Sequence, residues 1–344
     1  MNLKGKRIFV GLSGGVDSAV TAALLLERGA QVVGVFIKGW YPPGMPCTWA
    51  EDRRDAMRVA ARLQIPFYTL DASAEYKQGV IDYLLSEYQA GRTPNPDIMC
   101  NREVKFGAFY RFALEHGADC IATGHYARVE DGVLKRGIDP GKDQSYFLWA
   151  VPADALTKTL FPLGDLQKET TRALAGRFKL PNAAKKDSQG ICFLGSISVD
   201  DFLKNEFRVE PGEAVLEDGT VVGTHDGALL RTLGERVSLT EAPPGPWYVH
   251  RKDISKNRLV VSHTQKSEAS VREIQLAQVQ LFCSIDPSRV VEAQYRYHGA
   301  LVRGSFDAAR SVFTPREPLE EELAAGQSLV LYAGDTVLGG GIIS

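Results

Sequence analysis

The sequence has few cysteines and spaces them widely. Cys47, Cys100, Cys120, Cys192 and Cys283 form no C-x-x-C pair, which excludes a disulfide framework and argues against a zinc ribbon. No run approaches the roughly 18 uninterrupted apolar residues of a membrane-spanning helix. Met1 to Arg7 passes straight into a strand-like Ile8-Phe9-Val10, without room for a signal peptide's apolar core. A cytoplasmic protein with no membrane partner is predicted. Repeats and low-complexity tracts are missing. Strong net charge is missing too, since 40 Lys and Arg stand against 42 Asp and Glu, so a non-specific nucleic-acid binder is excluded. Residues 1–199 carry 25 basic and 21 acidic side chains (+4), and residues 200–344 carry 15 and 21 (−6). A polyanion would therefore lean on the first part.

What remains is a chain of 344 residues, 44% apolar and 24% charged, long enough for two or three domains. Its first part alternates strand and helix. Strands are predicted at 7–13, 31–37, 66–70 and 120–123, and helices at 18–28, 52–63, 76–88 and 102–116. Such alternation implies an α/β fold, a doubly wound parallel sheet whose ligands sit beyond the carboxyl ends of the strands. A hairpin turning at Glu130-Asp131-Gly132 and helices near 152–158, 168–178 and 199–207 complete this region. After about residue 210 short alternating segments replace the helices. They predict a hairpin of 247–251 with 258–262, then strand-like runs at 271–283, 289–303 and 328–343 that form a small closed β-domain.

The most informative segment lies between the first strand and the first helix. Residues Gly11, Leu12, Ser13, Gly14, Gly15, Val16, Asp17 and Ser18 place adjacent glycines, two hydroxyls and a carboxylate where helix N–H groups favour an anion. Asp17 is the candidate ligand for a Mg²⁺ that bridges phosphates. The loop has no lysine, so it is not a Walker loop. It resembles the pyrophosphate loop (PP-loop) of the ATP-pyrophosphatase superfamily, which implies ATP as the bound nucleotide. That resemblance sets Ile37 and Gly124, past the strands at 31–37 and 120–123, against adenine and ribose.

A stiff stretch, Gly91-Arg92-Thr93-Pro94-Asn95-Pro96-Asp97, leads to Cys100. A helix opened at Pro96 would put Cys100 near its first turn, where a thiolate is favoured, with Asp97 within reach for proton transfer. Cys192 follows Lys185-Lys186 and Gly190, the surroundings of an accessible, acidified thiol. These residues alone leave open whether Cys100 and Cys192 are reactive or core filler. Cys120 and Cys283 read as filler, and Cys47 is unassigned.

Five strings taken together are more specific. Ser-Gly-Gly-Val-Asp-Ser at 13–18, Gly-Arg-Thr-Pro-Asn-Pro-Asp-Ile-Met-Cys-Asn at 91–101, Ala-Thr-Gly-His-Tyr-Ala-Arg at 122–128, Lys-Asp-Gln-Ser-Tyr-Phe-Leu at 142–148 and Asp-Ser-Gln-Gly-Ile-Cys-Phe at 187–193 resemble the tRNA-specific 2-thiouridylase family. The resemblance continues through Gly223 to Gly227, Arg296-Tyr297, Ala325 to Gln327 and Leu338 to Ile342. It implies a PP-loop domain at 1–199, a central domain at 200–266 and a C-terminal β-barrel at 267–344. It further implies ATP-driven 2-thiolation of the wobble uridine, U34, of tRNA, with AMP and pyrophosphate as products. Cys192 would carry a persulfide from a sulfur donor or relay protein, and Cys100 would resolve it, leaving a Cys100–Cys192 disulfide for a reductant. Asp97 would serve as general acid/base, and Asn95, Pro96 and Asp97 would meet the extruded base. His125, Lys142, Asp143, Gln144, Arg296, Tyr297 and Gln327 would contact tRNA. Read alone, Lys142 and Arg296 are equally ordinary surface charges, and Tyr297 a barrel-face aromatic. One segment departs from the family, where Gly-Gln-Arg, a basic residue and Gly are usual. Here Thr232-Leu233-Gly234-Glu235-Arg236-Val237-Ser238 has an acid in place of the Gln and one cation fewer.

Two rival readings are an adenylating enzyme for a small molecule and a non-catalytic RNA-binding relative. The first needs no pair of cysteines, and the second predicts an eroded loop.

Overall fold

The computed structural model describes residues 3–42, 49–186 and 198–344, apart from the side chains of 266–269. Cys47 and Cys192 lie outside the described residues, and so do the expectations that rest on them. The chain divides into two compact units, one of residues 1–81, 96–196 and 332–339, the other of 82–95, 197–331 and 340–344.

The first unit is built on strands β1 (Arg7–Gly11), β2 (Gln31–Lys38), β3 (Phe67–Asp71) and β4 (Cys120–Ala122). They are followed by the hairpin β5 (Ala127–Glu130) and β6 (Val133–Arg136), then by β7 (Thr159–Leu160). The sheet runs β3-β2-β1-β4-β7 with every pairing parallel. Alternate residues of β1 feed opposite faces. Ile8 and Val10 join Ala19 and Val20 of the helix Val16–Glu27, Val59 of the helix Trp49–Leu63 and Ala175 of the helix Lys168–Arg177. Phe9 turns the other way, against Tyr68 and against Phe112 of the helix Phe109–Glu115. Each such fully buried side chain contributes about 1.5–3 kcal/mol. The predicted hairpin forms, with Asp131 and Gly132 both at positive φ (51° and 80°), as a tight two-residue turn requires.

Two predicted helices differ from expectation. The 76–88 segment is three pieces, Ser73–Tyr76, a π-helical Lys77–Ile81 and Asp82–Gln89. The 102–116 helix instead opens at Pro96 with Pro96–Met99 and widens into a π-helix over Cys100–Ala108 before Phe109–Glu115. The widened stretches pack together at Gly79, where a Cβ would lie 2.7 Å from Glu103 Cγ. Widened turns of this kind recur at functional sites and carry no signature in a 3.6-residue hydrophobic period. The remaining helical pieces of this unit are Ser145–Leu148 and Ala153–Thr157.

In the second unit the helix Val199–Glu206 precedes β8 (Gly212–Val215), β9 (Val221–His225), the short turn Ala228–Leu230, β10 (Arg236–Val237), β11 (Trp247–Asp253) and β12 (Arg258–Ser262). These strands form one sheet in the order β10-β11-β12-β8-β9 over a core of Ala214, Val237, Trp247, Val249, Leu259 and Val261. Along the chain then come β13 (Lys266–Val271), β14 (Ile274–Leu281), β15 (Val291–Gln294), β16 (Val302–Asp307), β17 (Val312–Pro315), β18 (Leu319–Glu321), β19 (Ser328–Ala333) and β20 (Thr336–Ile343), of which the end of β19 and the first half of β20 count with the first unit. Six of them follow the order β14-β17-β16-β15-β19-β20, and β20 returns to β14 to close the predicted barrel. Phe306, Phe313, Leu329 and Leu331 are fully buried in these strands. The predicted run 289–303 joins β15 to the start of β16, and no run is predicted over β17, a four-residue strand too short to show an alternation.

Candidate active site

In the sheet order, β1 and β4 are the neighbours at which the strand sequence reverses, and their carboxyl ends open the crevice where ligands of such sheets bind. The loop 12–15 leaves β1 there, and Thr123-Gly124-His125 leaves β4. Gly14 takes φ +81°, and a Cβ on it would lie 2.4 Å from the Asp52 carbonyl oxygen. Ser18 Oγ donates to Gly15 O at 3.1 Å and lies 3.2 Å from Ser13 Oγ, folding the loop over the first helical turn. Leu12 N donates to Val35 O at 2.8 Å, which anchors the loop to β2. A Cβ on Gly11 would lie 3.9 Å from Ile37 Cδ1, so these two expected nucleotide residues are neighbours.

Gly124 closes on the same turn. Its Cβ would lie 2.8 Å from Ser18 N and 3.0 Å from the Asp17 carbonyl carbon, so only glycine fits without moving the loop. Gly124→Ala is expected to weaken ATP binding by roughly 10- to 100-fold, the equivalent of about 1–3 kcal/mol of overpacking. Titration with a non-hydrolysable ATP analogue checks this, and an unchanged Kd would remove Gly124 from the site.

The cation that the loop lacks arrives from far along the chain. Lys168 Nζ donates to both carboxylate oxygens of Asp17, at 2.7 and 2.9 Å, and Tyr126 OH donates to Asp17 Oδ1 at 3.1 Å. Gln144 in turn accepts from Tyr126 N at 3.0 Å and donates its backbone N–H to Tyr126 O. Asn182 Nδ2 donates to Gly14 O at 2.9 Å, and Lys185 pairs with Asp52 and Asp55 behind the loop, which holds the Asp55 carboxyl below its usual range. Lys168 and Asn182 were not singled out from the sequence, because no local motif distinguishes them, and Tyr126 stood in the 122–128 string without a role. Asp17, the candidate Mg²⁺ ligand, is the acceptor at the centre of this network. Its oxygens hold a lysine, and among the described residues no cluster of three or more His, Cys, Asp and Glu forms a resident metal centre.

The thiol-bearing helix meets the loop through the dipeptide after β4. Cys100, a free thiol, is buried (5% exposed), and Asp97 is partly buried. Burial pushes the Asp97 carboxyl above its ordinary value, against the pull of the Lys105 ammonium. Lys105 Nζ lies 3.4 Å from His125 Nε2, and His125 Nδ1 lies 2.8 Å from Thr123 Oγ1. A lysine ammonium only donates, so Nε2 is the acceptor and the ring is neutral with its proton on Nδ1. Burial, helped by Lys105, holds the imidazole well below its usual pKa. Gly124-His125 thus touches the phosphate loop on one side and the Cys100 helix on the other.

Several residues expected to contact RNA hold partners within the protein. His125 is buried beside the rings of Phe106 and Phe161, with centroids at 5.9 Å, and faces the interior. Asp143 accepts from Gly137 N and from Ser145 N and Oγ, and Gln144 serves Tyr126. Their polarity closes a turn around the site, which a motif match cannot distinguish from ligand contact. Lys142 is half-buried. In the second unit, Arg296 donates to Glu322 O at 2.9 Å, Tyr297 is exposed (36%) with its ring 3.9 Å from that of His298, and Gln327 Nε2 donates to Thr93 O at 2.8 Å. The divergent Glu235 does not stand free. It accepts from Arg231 at 2.7 Å and from Thr232 N at 2.8 Å.

A glycine-cleared loop at the switch point of a parallel sheet, with helix N–H groups and a borrowed lysine, defines an anion-binding α/β domain of the PP-loop class. Residues 6–196 match the family described as the tRNA methyl transferase HUP domain, 200–263 its PRC-barrel domain, and 271–343 the aminomethyltransferase β-barrel domain. The tRNA-specific 2-thiouridylase MnmA of Stutzerimonas stutzeri (strain A1501) is 43% identical over 355 residues, covering 98% of this chain and 94% of that one. The same enzyme of Pseudomonas putida (strain W619) is 44% identical with the same coverage. Among solved structures, the U34-tRNA thiolase NcsA from Methanococcus maripaludis aligns with a TM-score of 0.38 and 18% identity over 59% of this chain and 68% of that one. The chain belongs to the tRNA-specific 2-thiouridylase family. No helix among the described residues is long and apolar enough to cross a membrane.

Proposed function

We infer that the protein uses ATP to replace O2 of the wobble uridine of tRNA with sulfur. The observation that supports this reading is the chain of contacts that links the phosphate loop to the helix carrying Asp97 and Cys100, through Gly124 against Ser18 N and His125 against Lys105. The uridine C2–O2 carbonyl is a poor electrophile until its oxygen is adenylated, with pyrophosphate leaving toward the loop and Lys168. The outer sulfur of a Cys192 persulfide then bonds to C2, and the C2–O bond breaks to release AMP. Cys100 thiolate attacks the Cys192 sulfur, the S–S bond breaks, and the new sulfur stays on C2 while a Cys100–Cys192 disulfide forms. An external thiol reductant returns the enzyme to its starting state. Asp97, held protonated to higher pH than an ordinary aspartate, has a proton to exchange beside the base. Asp17 would meet a Mg²⁺ only when the ion arrives bound to the triphosphate, since its oxygens otherwise hold Lys168. Catalysis and the target base are assigned to residues 1–199, whose net charge also favours tRNA, with further tRNA contacts from Arg296, Tyr297 and Gln327 in 267–344.

The decisive measurement is nucleoside mass spectrometry of the wobble position after incubation of tRNA with protein, ATP and a persulfide donor. One AMP and one pyrophosphate should accompany each 2-thiouridine. Pyrophosphate release without tRNA, driven by a small acceptor, would favour the rival adenylating enzyme. Methyl transfer, which the domain description names, gains nothing from a pyrophosphate-cradling loop.

Asp97 also predicts a pH signature. A carboxyl whose folded pKa is raised binds protons more tightly than in the unfolded chain, so stability falls as pH rises from the unfolded value through the folded one. Above that window the penalty is complete. Asp97→Asn is therefore expected to unfold at a higher temperature than the parent at pH 7.5, with the difference closing as pH falls below about 4, while thiolation is lost. Calorimetry across pH checks the first part, and equal melting at every pH would show that burial does not strain Asp97.

A further inference from the structure

The segment that enters Asn95-Pro96-Asp97 is held by more contacts than a surface loop needs, and all of them fall within the second unit. Gly91 takes φ +76°, and its Cβ would lie 2.8 Å from Ile254 Cγ1 on the turn after β11. Arg92 pairs with Glu87 through two hydrogen bonds. Thr93 is buried, and four different groups hold it. Its N–H donates to Ala325 O at 2.8 Å, its carbonyl accepts from Gln327 Nε2 at 2.8 Å, and its hydroxyl lies 3.3 Å from Thr232 Oγ1. The fourth is Gly326, at φ +91°, where a Cβ would lie 3.0 Å from Thr93 N, C and O. The turn 324–327 is itself tied to the last barrel strand, with Gly326 N donating to Ile343 O and Ile343 N to Gln327 O, both at 2.8 Å.

We propose that this barrel turn is a brace for the base-binding segment, and that Gln327 is a positioning residue that sets Asn95-Pro96-Asp97 through Thr93. The proposal rests on the thiolation reading for what the segment does, but not for the brace itself. One N–H of the Gln327 amide is seated on the Thr93 carbonyl, and replacing Gln327 would leave that carbonyl without its hydrogen bond. Two prolines flanking Asn95 transmit a shift at Thr93 with little slack, because each fixes its own φ. Thr232 belongs to the segment that departs from the family pattern, and its hydroxyl gives that segment a part in the brace that does not depend on RNA contact.

The test uses the full chain with Gln327→Leu and, separately, Gly326→Ala, which displaces Thr93 without altering the Gln327 amide. Hydrogen exchange of the amides at 93–99 should quicken at least 10-fold in both variants. The kcat for 2-thiouridine formation should fall roughly 10-fold or more, as for a small misplacement of reacting groups, while the Kd for tRNA and for an ATP analogue stays within about twofold of the parent. Unchanged exchange at 93–99 in Gln327→Leu would overturn the brace. So would a raised tRNA Kd with kcat at saturating tRNA preserved, which is the result for an RNA ligand. Should the parent protein form no 2-thiouridine, the functional reading fails while the exchange arm still decides the brace.

Discussion

Serine in place of either Cys100 or Cys192 is expected to reduce 2-thiouridine formation by roughly 10³-fold or more, as removal of a nucleophile does, with the affinity for ATP unchanged. The two variants should fail differently. Without Cys192 no persulfide is loaded, and adenylated tRNA is the furthest species reached. Without Cys100 the persulfide still loads and bonds to C2, but nothing cleaves the inner S–S bond. A tRNA–protein adduct that dithiothreitol releases should therefore accumulate in Cys100→Ser and be absent from Cys192→Ser. Cys100 is buried, so the unfolding temperature of Cys100→Ser should be recorded beside its activity. Full turnover by either variant would end the two-thiol scheme.

The second large effect concerns the ion pair beneath the phosphate loop. Lys168→Met is expected to slow pyrophosphate release by roughly 10²–10³-fold, the scale for removing a charge aimed at developing negative charge. Asp17→Asn should fall in the same range. Stability separates the two roles of the pair. Lys168 keeps 11% of its side-chain surface and Asp17 keeps 32%, so breaking the pair from either side strands a partly desolvated charge. The cost lies below the roughly 3–5 kcal/mol of a fully buried pair. The double variant strands neither charge and should melt above Lys168→Met, yet remain inactive. Activity restored in the double variant would make the pair structural only.

How far the sequence could be read depended on distance along the chain. The β1–loop–helix unit was legible because its glycines, hydroxyls and Asp17 are contiguous and their geometry is local. The helix opening at Pro96 was legible for the same reason, while the part played by Cys100 rested on the family resemblance. Lys168 was not, since it joins Asp17 from 151 positions away and nothing around it differs from an ordinary helix start. His125 and Gln144 were visible as residues but not in their roles, because a motif preserves identity and says nothing of which way a side chain turns. The π-helical run at Cys100–Ala108 was read as an ordinary helix, since five-residue hydrogen bonding leaves no trace in apolar spacing. The barrel was legible as a class, but β15 and β16 ran together in the sequence pattern and the short β17 left no signal in it.

Arg231 gives a different meaning to the acidic count of the C-terminal part. Its guanidinium is shared by Asp200, Asp226 and Glu235, and Lys204 also pairs with Asp226. Three formal negatives thereby meet two cations at contact range, so an incoming phosphodiester chain would feel one net negative charge there rather than three, screened beyond the Debye length of about 8 Å in physiological salt. The ledger of a linear sequence overstates repulsion wherever folding has already cancelled it.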